Sequence, residues 1–105
     1  MTLVEFAITP IGKGESLSAW VARAVEVIDR SGLKYQVGPM STCIEGEWEE
    51  IFRVLGRCLH EIEKDCNRIT MSIKVDHRKN RTGAMEDKVK AVARVLGRPI
   101  KTASP

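Results

Sequence analysis

The residues from Ile69 to Asp76 alternate without a break. Ile69, Met71, Ile73 and Val75 fall on one side, and Thr70, Ser72, Lys74 and Asp76 on the other. A period of two is the mark of a β-strand whose faces meet unlike surroundings. LVEFAITP near the start repeats it, with Val4, Phe6 and Ile8 against Glu5, Ala7 and Thr9. Two such strands need a second layer over their apolar face and leave the other face free for another task.

Between them the period lengthens to that of a helix. Leu17, Trp20, Val21, Ala24 and Ile28 form a stripe behind Ser16 or Ser18, either a suitable N-cap, and Gly32 closes it. LKYQV predicts a second strand, Gly38-Pro39 a turn, and MSTCIE a third strand. The clearest helix runs from Glu47 to about Asp65, with Trp48, Ile51, Phe52, Leu55, Leu59 and Ile62 as its apolar stripe. Glu47, Glu49 and Glu50 sit in its first turn, where the helix dipole favours acids. Gly56 lies opposite the stripe. After the last strand a basic loop, RKNRTG, leads to a helix carrying Met85, Val89, Val92 and Leu96, stopped by Gly97.

The order is βαββαβ followed by a third helix, in two strand-helix-strand halves spanning about 3–37 and 40–76. This is the ferredoxin-like split βαβ plan of the α+β class, with an additional C-terminal helix. Its one antiparallel sheet carries both main helices on one face. With 105 residues the chain has material for one core, so a single domain over 1–105 is expected.

The apolar runs are far shorter than the roughly 20 residues that span a bilayer. The first ten residues lack the features of a signal peptide. A soluble cytoplasmic protein is expected. Three cysteines, Cys43, Cys58 and Cys66, lack framework spacing and read as reduced apolar residues. Cys58, His60, Cys66 and His77 lack the paired spacing of a zinc site, so no metal is expected. Charge is uneven: residues 1–77 hold 9 basic against 12 acidic side chains, and residues 78–105 hold 8 against 2. The basic end, with Arg78, Lys79, Arg81, Lys88 and Lys90, is either a solvated helix or a contact for an anionic partner such as nucleic acid.

The sheet face of opposite parity offers Glu5, Ala7, Thr9, Thr70, Ser72, Lys74 and Asp76. These small and polar residues suit a second sheet or a small ligand, although an antiparallel sheet can also simply face water. Neither histidine has a nucleophile motif beside it; a catalytic use of His77 as a base ranks last. RNA binding on this fold relies on aromatics of the central strands, and the fourth strand has none. An organic cation fits better, since it needs a carboxylate and an aromatic surface. Glu45 and Trp48 are one such pair, though Trp48 also reads as core and Glu45 as a partner for the N-terminus of the helix that follows it.

SGLKYQVGPMSTCIEGEWEEIF and MSIKVDHRKNRTGAMEDKV together resemble the small thiamine-binding protein family, long known only as a domain of unknown function. Its members carry similar GLKY…PMGT…EG and SIKIDxR…MEEKV segments. The likeness covers nearly the whole chain. It implies a ferredoxin-like fold, a homodimer through sheet faces that commonly pairs into a homotetramer, and binding of thiamine or a related pyrimidine. It implies no catalysis and no cofactor. Thr42, Glu45 and Gly46 match the first segment; Ser72, Lys74, Asp76, Arg78, Met85, Glu86 and Lys88 match the second. Ser41, His77 and Glu5 depart from the family's usual Gly, acid, and Ser or Val. The expected ligand set is Thr42, Glu45, Trp48, Ser72, Lys74, Asp76 and Arg78.

Overall fold

A computed structural model describes residues 1–80 and 83–102. The elements are β1 (Thr2–Pro10), α1 (Ser18–Ser31), β2 (Lys34–Val37), β3 (Thr42–Gly46), α2 (Trp48–Glu63), β4 (Ile69–His77) and α3 (Ala84–Leu96). The sheet order is β2-β3-β1-β4, and all pairings are antiparallel. This is the ferredoxin-like arrangement predicted from the element order, and β2 and β4 are its edges.

The core lies between the sheet and the first two helices. Val4, Phe6, Ile8 and Ile44 come from the central strands, Ala24 and Ile28 from α1, and Ile51, Val54, Leu55, Cys58 and Ile62 from α2. Removing this apolar surface from water is the main favourable contribution to folding. Cys58 is fully buried, with its thiol 3.5 Å from the Ala24 carbonyl oxygen. Burial pushes that thiol up to about 11, which keeps it a neutral apolar filler.

Several details differ from the sequence reading. The buried stripe of α2 is rotated: Val54 and Cys58 enter the core, while Trp48 is 45% exposed. The cause is that α2 packs against α1 as well as the sheet, which shifts its inward face. The expected serine cap of α1 is also not made: Leu17 occupies the N-cap, without a side-chain hydrogen bond. Gly32 does close α1 in a left-handed conformation, φ 79°.

Strand β4 alternates as predicted, yet Ile73 and Val75 remain 40% and 37% exposed on the apolar side. The helices centre on β1 and β3, so an edge strand is only partly covered. The largest difference concerns α3. Helices were expected on one face only, but α3 packs its first turn against the opposite face, beside β3. Ala84 and Met85 are buried there, whereas Val92, Val95 and Leu96 stay exposed.

Candidate functional site

The open face is best followed rung by rung. Leu3 lies between Glu45 of β3 and Asp76 of β4, and Lys34 of β2 sits beyond Glu45. The next rung holds Gln36, Cys43, Glu5 and Lys74, and the one after pairs Ala7 with Ser72. Antiparallel register thus gathers charges from four strands that the sequence keeps as far apart as Glu5 and Asp76.

Glu45 is the most constrained of them, only 6% exposed. Its Oε1 accepts a hydrogen bond from the Met85 amide at 3.2 Å, and its Oε2 lies 4.0 Å from the Lys34 ammonium. Met85 is in the first turn of α3, where amides lack helical partners and the dipole favours an anion. The N-cap of α3 is Gly83, whose own side chain cannot supply this bond. Glu45 therefore serves a helix N-terminus, but that of α3 and not that of α2, which follows it in sequence. Two surface pairs hold the same helix: Lys34 with Glu86 at 2.6 Å, and Lys88 with Asp76 at 2.7 Å. The hydrogen bond from Lys34 holds the Glu86 carboxyl below its usual range, and reciprocally raises Lys34.

Beside this anchor lies a cleft of about 260 Å³ lined by Leu3, Glu5, Cys43, Lys74, Asp76 and Lys88. It juxtaposes two carboxylates and two ammonium groups over an apolar floor, a set able to offer acceptors and donors side by side. Burial, and then the charge of Glu5, push the Cys43 thiol upward, so the thiolate needed for nucleophilic chemistry is disfavoured.

Of the predicted residues, Lys74 and Asp76 line this cleft, Ser72 borders it one rung away, and Glu45 stands behind Leu3 beneath α3. Arg78 follows β4, where its carbonyl accepts the terminal ammonium of Met1 at 3.0 Å. Thr42 belongs to the other face: it has the parity of Ile44, is 5% exposed, and lines a separate cleft against α1. Trp48 stacks on Phe52 at the start of α2, with ring centroids 4.6 Å apart. Thr42, Glu45 and Trp48 are thus not gathered into one pocket within the chain. Glu5, Cys43 and Leu3, absent from the predicted set, do line the cleft; the parity of β1 placed Glu5 on this face, but the register across β3 was needed to bring Cys43.

Among the described residues, no cluster of three His, Cys, Asp or Glu side chains is placed to hold a metal ion. No helix there is long and apolar enough to cross a membrane. His77 is held by Thr2, whose hydroxyl lies 2.8 Å from Nδ1. In the basic end, Lys88 is committed to Asp76, and Arg81 lies outside the described residues.

The model of the thiamine-binding protein family matches residues 4–93. UPF0045 protein Mb1933 of Mycobacterium bovis is 41% identical over 92% of this chain and 96% of its own. The crystal structure of hypothetical protein MJ1052 from Methanocaldococcus jannaschii superposes with a TM-score of 0.82 at 34% identity, covering 88% of this chain and 95% of that one. A Thermotoga maritima protein provisionally assigned to thiamine biosynthesis or salvage superposes with a TM-score of 0.77 at 28% identity, over 87% and 97% of the two chains.

Proposed function

The chain belongs to the thiamine-binding protein family, and on that premise we propose that it binds thiamine or a related pyrimidine, such as hydroxymethylpyrimidine, without transforming it. The observation that carries this reading is the open-face cleft, in which Glu5 and Asp76 stand beside Lys74. An aminopyrimidine presents an exocyclic amine next to a ring nitrogen. A carboxylate accepts from the first and an ammonium donates to the second. The positive thiazolium of thiamine gains from the same two carboxylates. A thiol kept protonated and a name that speaks of binding both favour capture over catalysis. In this reading no cofactor is required beyond the ligand, and the protein works in the cytoplasm.

A cleft of about 260 Å³ is near the lower end of the range for small-molecule sites, roughly 300–1,000 Å³. It suits one ring and leaves the rest of the ligand over Ala7 and Ser72. That part of the face is small-residued, and among the described residues no helix lies over it. A second copy laid sheet to sheet would cover it, giving a homodimer and, by pairing of dimers, a homotetramer.

Titration calorimetry with thiamine and with hydroxymethylpyrimidine tests the proposal. Saturable heat is expected, and Asp76→Asn should weaken binding by about 1–3 kcal/mol through loss of a charge-assisted hydrogen bond. No heat from either compound at millimolar concentration would refute it.

A further inference from the structure

On the opposite side of the sheet, α1 and the β2–β3 turn enclose a cleft of about 620 Å³. It is more than twice the volume of the open-face cleft and well inside the usual range for small-molecule sites. Its composition is unlike the rest of the molecule. Phe6, Ile8, Leu17, Val21, Val37 and Met40 supply most of the wall, and no charged residue lines it, although 30% of the chain is charged.

Two polar features open into this apolar space. Strand β3 accompanies β1 only as far as the Phe6–Thr42 pair. Among the described residues, no strand lies beside the edge of β1 from Ala7 to Thr9, which forms part of the cleft lining. Backbone donors and acceptors on that edge need a partner from outside the sheet. The second feature is Thr42. The residue is only 5% exposed, and its hydroxyl has no hydrogen-bond partner among the described residues. Yet no sealed, unsatisfied polar atom occurs there either, so the hydroxyl keeps its access through the cleft it lines. That access leaves the hydroxyl open to a donor or acceptor group of a molecule entering the cleft.

We infer that this cleft is a second binding site, for a neutral, mainly apolar small molecule carrying one hydroxyl- or amide-like group that meets Thr42 and the free edge of β1. The absence of any lining charge disfavours a cationic ligand there, because a desolvated cation would find no counter-charge. The inference is independent of the thiamine reading, which concerns the charged cleft on the other face.

The test uses N-phenyl-1-naphthylamine, a neutral apolar fluorophore with one N–H donor, titrated into the full chain. The expected result is saturable enhancement with one probe per protomer. Val21→Lys, and separately Met40→Asp, should each weaken it about tenfold or more by placing a charge at the mouth. Both positions are solvent-exposed, and circular dichroism checks that each variant folds. Excess thiamine should leave the probe in place. The inference is overturned by absence of saturable enhancement, by affinity unchanged in both variants, or by competitive displacement of the probe by thiamine. It is equally overturned if the enhancement disappears as protein concentration rises, which would show a second copy filling the cleft.

Discussion

Replacing Glu45 separates its two possible helix partners. In the wild-type chain its carboxylate accepts from the Met85 amide at 3.2 Å and faces the Lys34 ammonium at 4.0 Å. Glu45→Ala leaves that amide without its acceptor, a loss comparable to removing an N-cap, about 0.5–2 kcal/mol. The ion pair with half-exposed Lys34 adds up to about 1 kcal/mol. The sum is about 0.5–3 kcal/mol. Glu45→Gln keeps an acceptor and loses only the charge near the helix terminus, about 0.3–1 kcal/mol.

The change should be local. Helix α3 buries only Ala84 and Met85, so it can open without the core. Amide hydrogen exchange is the suitable assay. Protection over residues 84–96 should fall roughly two- to 150-fold in Glu45→Ala, and by less, a few-fold at most, in Glu45→Gln. Amides of β1 should change far less. The reasoning fails if α3 keeps its protection while the first turn of α2 loses it, since Glu45 would then be serving the helix that follows it in sequence.

Two further outcomes concern the core. Because burial raises Cys58 from about 9 to about 11, the unfolded chain loses that thiol proton first, and its contribution, present below pH 9, disappears as pH rises to about 11. This is at most about 2–3 kcal/mol; the stability gap between wild type and Cys58→Ala, from urea unfolding, should narrow across that window, and a constant gap would contradict it. A Cβ added at Gly46 would stand 3.0 Å from the Leu33 Cδ2 and 3.6 Å from Ile51. Gly46→Ala should therefore destabilise by about 1–3 kcal/mol through overpacking, read as a lower urea midpoint, and an unchanged midpoint would show that Leu33 yields freely.

The parts legible in the sequence are those that a single period encodes. Val4, Phe6 and Ile8 face the core, Glu5 and Ala7 face away, and Gly32 ends α1, because each depends on neighbours within a few residues. What depends on two distant partners was less legible. The exposure of Ile73 and Val75 follows from the edge position of β4, a property of strand order and not of the strand's own alternation. The rotation of α2 reflects the presence of α1. Thr42 and Glu45 were expected to act together, yet an odd spacing of three in a strand sends them to opposite faces. Alternation alone puts Thr42 with Ile44 and Glu45 with Cys43; what the sequence leaves ambiguous is which of the two sets faces the core.

The buried acid also joins the two segments that carry the family resemblance. Glu45 lies in the first and Met85 in the second, and their hydrogen bond ties β3 to α3 across 40 residues of sequence. Helix α3 in turn carries Lys88, which pairs with Asp76 and forms one wall of the open-face cleft. The effect of Glu45 on that cleft is therefore positional: it fixes where α3 begins and, through the helix, where an ammonium stands. The ring of interactions from Glu45 through Met85 and Lys88 to Asp76 closes on Leu3, whose strand neighbours are Glu45 on one side and Asp76 on the other. An aliphatic side chain at that centre keeps the two carboxylates on separate sides of β1. One is thereby left to hold a helix, and the other is left at the cleft.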